Sequence, residues 1–377
     1  MAAPTTLTFA RSGRSTIGLE WEVALVDADS GDLRQAADAV LAAVGDEPKV
    51  KPELLANTVE VASGVCRTVG EATADLAVSL ERVAEAAAPL RIDLMGSGTH
   101  PFAHWAHQKV TDKKRYATFI DRTQWWGRQM LIFGTHVHVG IEDRAKVLPV
   151  SRAIMTVFGH LQSLSASSPF WAGQDTVYAS NRALLFQQLP TAGLPPELDR
   201  WDQLEQYVGD MLHVGVIDEF TELRWDVRPS PQFGTLEVRV ADGATNLAEL
   251  GWISALTHCL VEHFSSEIDA GRALPTMPAW YVQENKWRSA RYGMDAIVIT
   301  DSDGTEELVT DSVAQWLTTL APVAERLGCC DELEQVATIT RRGASYQRQR
   351  AVARRHDGDL TQVVKSLVAE MRAGHPL

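Results

Sequence analysis

From Ile17 to Val26 the apolar residues Ile17, Leu19, Trp21, Val23 and Leu25 alternate with other residues, the period-two signature of a half-buried strand. Asp27 to Asp32, with Ser30 and Gly31, interrupts the alternation and reads as a turn. The period then lengthens. Ala36 to Val44 and Glu71 to Leu90 are alanine-rich with helical spacing, and Ile92 to Met95 leads into a Gly-Ser-Gly loop. Arg115 to Met130 predicts a helix, Leu131 to Ile141 a strand, and Val150 to Ser165 a helix starting just after Pro149. A second strand group covers Leu223 to Arg228 and Thr235 to Val240, and helices dominate from Leu247 onwards. Pro190 to Pro196 is the best surface loop, and residues 1–14, small and polar, read as a frayed lead-in. No repeat or linker divides the remainder, so the pattern predicts one α+β domain over residues 15–377 with a helical C-terminal portion.

The same alternation assigns faces. In Gly18-Leu-Glu-Trp-Glu22, residues two apart share a side, so Glu20 and Glu22 point together, away from Leu19, Trp21 and Val23. A solvated outer face of an antiparallel sheet would show the same pair. The geometry recurs, however, in Thr135-His-Val-His-Val139, which sets His136 and His138 opposite Val137 and Val139. It recurs again in Thr235-Leu-Glu-Val-Arg-Val240, which aligns Glu237 with Arg239. Water-facing strand positions favour threonine and similar residues, whereas these faces offer metal-ligand and phosphate-binding groups. If they line one concave sheet, Glu20, Glu22, Glu237 and His136 converge as hard ligands beside Arg239. Glu53 and Glu60 lie seven positions apart, a spacing that brings them together through two helical turns or across a bend into a short strand from Thr58 to Ala62. Crowded carboxylates repel one another, and a divalent cation removes that cost. One imidazole and no thiolate suit Mg²⁺ or Mn²⁺ better than zinc.

Composition narrows the partners. Acidic residues outnumber basic ones 49 to 35 in the 377 residues, giving a formal charge of -14. That field repels nucleic-acid backbones and anionic membranes. With no leader-like segment and no long apolar span, the expectation is a cytoplasmic protein. Cys66, Cys259, Cys329 and Cys330 lack zinc-like or secreted-framework spacing and read as reduced thiols. Neither a phosphate-binding glycine loop nor a dinucleotide fingerprint occurs.

Several longer motifs carry a family resemblance: Gly98-Thr-His-Pro-Phe102, His136-Val-His-Val-Gly140, Ser165-Ala-Ser-Ser-Pro-Phe-Trp171, Asp175 with Tyr178-Ala-Ser and Arg182, Trp225-Asp-Val-Arg-Pro229, Gly234-Thr-Leu-Glu-Val-Arg239 and Glu284-Asn-Lys-Trp-Arg288. Through them the chain resembles the type 2 glutamate–cysteine ligases, specifically the carboxylate–amine ligase branch called YbdK. The resemblance implies a glutamine synthetase-like fold, in which a curved, mainly antiparallel sheet forms the active-site face and helices pack outside it. It also implies an ATP-dependent ligase that forms an amide through an acyl phosphate, with L-glutamate and L-cysteine giving gamma-glutamylcysteine, ADP and phosphate. Glu22, Glu53 and Glu60 would hold one magnesium, and Glu20, His136 and Glu237 a second. Arg239, Arg228 and Glu237 would be catalytic, while His138, Arg182, Arg228 and Arg239 would bind the nucleotide. The branch further suggests a homodimer, a small-molecule carboxylate donor and an amine or amino-acid acceptor.

Arg224, Arg288 and Arg348 are further candidates for holding phosphates or the donor carboxylate. His100 could face the substrate but is expected to bond backbone, and Trp125 and Trp126, which look like a cofactor or acceptor platform, are expected to be core or interface aromatics. Two rival functions stay open at this stage. One is a metal-dependent hydrolase, against which the lack of a His-Glu-x-x-His motif counts. The other is a nucleotide- or metabolite-binding regulator that retains the ligase scaffold.

Overall fold

The computed structural model describes residues 6–377. Its centre is a seven-stranded antiparallel sheet ordered β10-β11-β5-β1-β3-β2, with β4 paired to the far end of β1. The first half contributes β1 (Ile17–Asp27), α1 (Ala37–Val44), β2 (Val50–Pro52), β3 (Thr58–Ala62), α2 (Val69–Ala87), β4 (Ile92–Met95), α3 (Lys114–Arg128) and β5 (Gly134–Gly140). After α4 (Arg144–Thr156) and α5 (Phe158–Ser165) come a minimal hairpin, β6 (Phe170–Trp171) and β7 (Gln174–Asp175), and the short helix α6 (Asn181–Phe186). Then β8 (Ala192–Gly193), α7 (Trp201–His213) and β9 (Arg224–Trp225) lead to β10 (Val227–Ser230) and β11 (Thr235–Asp242). The C-terminal part is helical: α8 (Leu247–Asp269), α9 (Ala279–Tyr292), α10 (Val309–Leu327), α11 (Cys330–Arg342), α12 (Ser345–Arg355) and α13 (Leu360–Ala373). One small hairpin, β12 (Ile297–Ile299) with β13 (Glu306–Leu308), interrupts it. Among the described residues no helix is long and apolar enough to cross a membrane.

The predicted parity holds across the sheet. Leu19, Trp21, Val23, Val59, Val61, Val137, Val139, Leu236 and Val238 form one apolar face, and helices α2, α4, α5 and α8 pack on the sheet to complete the main core. Burying that face is the principal gain in free energy, at roughly 25 cal/mol per Å² of apolar surface. Helix starts follow local capping: Thr68 accepts from the Glu71 amide, Asp143 from Ala145 and Asn246 from Glu249. At the C-terminus of α10, Gly328 closes the helix in a left-handed conformation.

Three local expectations change. The helix placed after Pro149 begins earlier, at Arg144 behind the Asp143 cap, so Pro149 lies inside α4. It then breaks at Val157, and α5 is separate. The strand from Leu223 splits into β9, parallel to β8, and β10, antiparallel to β11. Part of the expected lead-in, residues 1–5, falls outside the described residues. From residue 7 onwards the segment is held: the Leu7 amide donates to Glu205, the Ala10 amide to the Pro231 carbonyl, and Arg14 to Glu262 and Asp269. All four cysteines are free, including the buried Cys259 and Cys329, whose Sγ atoms lie 3.6 Å apart.

His160 illustrates how burial couples stability to pH. On α5 its ring is enclosed between the Val157 carbonyl and the Ser312 hydroxyl, and burial pushes its pKa from 6.5 down to about 4 against the pull of that carbonyl. The unfolded chain therefore binds the extra proton first. This contribution to stability is complete above pH 6.5 and is lost as pH falls towards 4, amounting to about 2 kcal/mol by pH 5. Urea unfolding at pH 7.5 and 5.0 should show His160→Gln losing less stability on acidification than wild type by about that amount. An unchanged pH dependence would remove His160 from the account.

Candidate active site

The polar face of the sheet is built by register. Gly18 pairs with His138 and His138 with Glu237, which in turn pairs with Arg228 on β10. One step along β1, Glu20 faces His136, and one step further Glu22 faces Glu60 on β3. Strand alternation thus brings five carboxylate or imidazole side chains from three interior strands, with Glu60, onto one surface. The Lys51–Glu60 segment resolves as a bend into β3, which places Glu53 in the loop between β2 and β3.

Glu237 is the most enclosed of these groups, 1% exposed. Arg228 donates to its Oε2 from Nε at 3.0 Å and Nη2 at 2.6 Å, and Arg239 donates to Oε1. Burial would raise its pKa, but the two guanidinium groups hold it far below the usual carboxylate range. Glu20 behaves alike: burial raises its pKa, and hydrogen bonding and charge from His136 and His138 together outweigh that, keeping it ionised. His136 itself is pushed down to about 4 by burial and then by Arg239, so its ring is neutral.

The other three glutamates accept from no arginine or histidine side chain, although Lys51 Nζ comes to 3.8 Å of Glu60. Burial pushes Glu22 up to about 7, with Arg182 opposing and Glu60 adding to the rise. Glu53 is likewise pushed to about 7 by burial and then by the charge of Glu22. Glu60 is raised further still, first by burial and then by Glu20 and Glu53. Three acids repelling one another in an enclosed space make a site that added positive charge would relieve.

A tighter constellation sits beside them. Among the described residues, Glu20, His138 and Glu237 are the one group of three whose ligand atoms all lie within 4.8 Å of one another. His138 Nε2 is 3.6 Å from Glu20 Oε1 and 3.8 Å from Glu237 Oε1, and it is buried without a hydrogen-bond partner. Its Nδ1 meets the Thr235 hydroxyl at 2.9 Å, which fixes the ring. Two carboxylates and an imidazole with a free nitrogen fit a hard divalent cation. The imidazole differs from expectation. His136, expected in this set, has its Nδ1 3.0 Å from Glu20 Oε2 and 4.0 Å from Glu237 Oε1 but also 3.4 Å from Arg239, whereas the register sets His138 directly across from Glu237.

Next to the sheet face lies a cavity of about 670 Å³. Glu22, Glu53, Arg182, Arg224, Arg228 and Arg239 line it. Helix α3 supplies Lys114, Arg115, Tyr116 and Arg122, all missed by the sequence reading. A signal was present, since Lys113-Lys-Arg115 is a basic run in an acidic chain. Arg182 reaches the sheet because Gly134 has no side chain: a Cβ there would stand 2.3 Å from Arg182 Nη2. The Gly134 amide meanwhile donates to Glu22 Oε2 at 2.5 Å.

Other candidates lie elsewhere. Arg288 pairs with Glu284 and Glu306 on the surface, and Arg348 is enclosed between Glu249 and Glu370. Neither lines the cavity. His100 bonds backbone, meeting the Gly31 carbonyl and accepting from Ala103, as expected. Trp125 and Trp126 are 60% and 48% exposed, so neither is a core residue, and Trp125 meets Trp105 edge-on. The serine-rich motif acts behind the site: Asp242 accepts from the Ser167 amide and from the Ser168 and Ser180 hydroxyls, and Ser168 in turn accepts from the Arg182 amide.

Comparison with known proteins agrees with the fold. A glutamate–cysteine ligase from Francisella tularensis, solved in complex with AMP, superposes with a TM-score of 0.67 at 12% identity, covering 97% of this chain and 90% of that one. A bifunctional glutathione synthetase from Pasteurella multocida gives 0.66 at 14% identity over 96% of this chain, which spans only 52% of that longer protein. Fold, site and relatives together define a glutamine synthetase-like, ATP-dependent ligase that joins a carboxylate to an amine. Residues 16–366 match glutamate-cysteine ligase family 2 (GCS2), and the chain belongs to that family. A relative from Mycobacterium ulcerans, named "Putative glutamate--cysteine ligase 2", is 56% identical over 96% of this chain and 93% of its own length.

The close approach at Gly134 gives a direct test. Gly134→Ala should displace Arg182 and lower stability by about 1–3 kcal/mol in urea unfolding, with a fall in ADP release. Wild-type stability and turnover in the variant would show that the contact relaxes freely.

Proposed function

We propose that the protein phosphorylates the side-chain carboxylate of glutamate with ATP and transfers the resulting acyl group to an amine, within one catalytic domain over residues 15–377. With cysteine as acceptor the product would be gamma-glutamylcysteine. The observation that carries this reading is the juxtaposition of the Glu20, His138 and Glu237 triad with Arg228 and Arg239. Phosphoryl transfer needs positioning and charge neutralisation more than covalent chemistry from the protein, and this surface offers both.

The triad fits one magnesium, and Glu22, Glu53 and Glu60 provide the donors for a second, with manganese as a substitute. The cation would neutralise charge on the phosphate oxygens. Arg239 and Arg228, held by Glu237, are placed to steady the transferred phosphoryl group. Arg182, buried with an unpartnered Nε, suits the donor's second carboxylate. Its pKa is lowered by burial, a cost that a bound carboxylate would offset. Exposed Trp280, Trp287 and Tyr292 on α9 suit a homodimer contact.

Purified protein with Mg²⁺, ATP, glutamate and a panel of amines should release ADP only when all four are present, and mass spectrometry should find the amide. Turnover without ATP would favour a hydrolase, and silence with every amine a regulator. Glu20→Gln should lower ADP release at least a hundredfold and weaken Mn²⁺ binding measured by electron paramagnetic resonance, while the circular dichroism spectrum stays native. Near-normal turnover would remove Glu20 from the site.

A further inference from the structure

The cavity is divided chemically. Its floor is charged, but one wall is a separate small hydrophobic cluster, in which Met130, Phe186 and Leu189 are buried and Leu54, Phe119 and Ile132 are half-buried against them. Its buried members belong to neither larger core, and half-buried Leu54 joins it to the second of them. Its half-buried members line the cavity, so apolar surface stays available there to a ligand.

A cation stands at the edge of that wall. Of the four cavity arginines withdrawn from solvent, Arg228 and Arg239 are committed to Glu237, and Arg182 lies at the floor beside Glu22. Arg224 is the fourth. Its guanidinium lies over the Phe119 ring at 4.9 Å and donates to the Glu222 carbonyl, and among the described residues no carboxylate oxygen comes within 4.0 Å of it. Burial lowers its pKa to about 10, the mark of a charge short of counter-ions. The metal-ligand triad, where the ATP phosphates are assigned, has no member among the cavity-lining residues. Arg182, Arg228 and Arg239 line the same cavity, so it opens directly onto the groups assigned to the donor and the transferred phosphoryl group.

We propose that the amine acceptor is an α-amino acid with a bulky apolar side chain, bound with its carboxylate on Arg224 and its side chain against the Leu54, Phe119 and Ile132 wall. This rests on the ligase reading above and names its second substrate. The acceptor nitrogen forms a bond to the acyl carbon as the carbon–oxygen bond to phosphate breaks. Phosphate departs with that electron pair, and the nitrogen gives up one proton to phosphate or solvent. Cysteine is small and would leave the wall largely uncovered, forgoing part of the roughly 0.8 kcal/mol available per buried methylene.

The test uses the full-length protein with Mg²⁺, ATP and glutamate, and compares L-phenylalanine, L-leucine, L-cysteine, glycine and phenethylamine as acceptors, following the amide by mass spectrometry. The expected result is a kcat/KM for phenylalanine or leucine at least tenfold above that for cysteine. In Arg224→Gln the ratio of KM for phenylalanine to KM for phenethylamine should rise at least tenfold, since only the first carries a carboxylate. If that variant fails to fold, Ile132→Asn should lower the preference for phenylalanine over cysteine at least fivefold. A preference for cysteine or glycine would overturn this acceptor assignment while leaving the ligase reading intact. So would Arg224→Gln or Ile132→Asn raising KM for ATP instead, which would put the purine on the wall. Absence of ADP with every amine would sink both.

Discussion

The clamp of Arg228 and Arg239 on Glu237 is the interaction on which the rest of this site depends. A carboxylate 1% exposed could not stay ionised alone, because removing its charge from water costs several kcal/mol. Two guanidiniums compensate it, Arg228 directly across on β10 and Arg239 two residues along β11. Once Glu237 is fixed and charged, His138 stands directly opposite it on β5 with a free ring nitrogen, and Glu20 completes the triad from β1. Removing one of the two guanidiniums would leave Glu237 buried with half of its compensation.

Around that anchor the sheet sorts charge by position. Towards β10 and β11 the carboxylates are held ionised by arginine and histidine, whereas towards β3 the acids Glu22, Glu53 and Glu60 crowd together with raised pKa values. The contrast separates a set that the protein has already neutralised from one that calls for added positive charge. Support for this order comes from groups that touch no reacting atom. Asp242 gathers the serine-rich loop behind Arg182, and the fully buried Lys286, 2.5 Å from Asp226, ties α9 to the segment joining β9 and β10. The longer motifs in the sequence largely describe this supporting framework.

Much of the fold was legible because its signals are local. Period-two alternation from Ile17 to Val26, at His136 and His138, and from Thr235 onwards needs only the pleat of a strand to assign faces. Capping residues marked several helix starts. Where the reading slipped, a longer-range cause won: Pro149 read as a helix start because the Asp143 cap lies six residues upstream, and the first turns of a helix tolerate proline better than its middle. The segment at residues 7–14 looked frayed since its partners, Glu205, Pro231 and Glu262, are some 200 residues away or more.

By itself the sequence determined the acids and histidines of the site, the shared face of each strand's pair, and the family to which the chain belongs, because these follow from residue type and spacing. Only the tertiary structure decided that His138 completes the tight triad with Glu20 and Glu237 while His136 bonds Glu20 beside it, since that depends on strand register and side-chain packing. It alone brought α3 over the sheet with Lys114, Arg115 and Arg122, removed Arg288 and Arg348 to distant ion pairs, and left Arg224 unpaired beside an apolar wall. Those outcomes turn on contacts between segments far apart in the chain, for which no local period carries information.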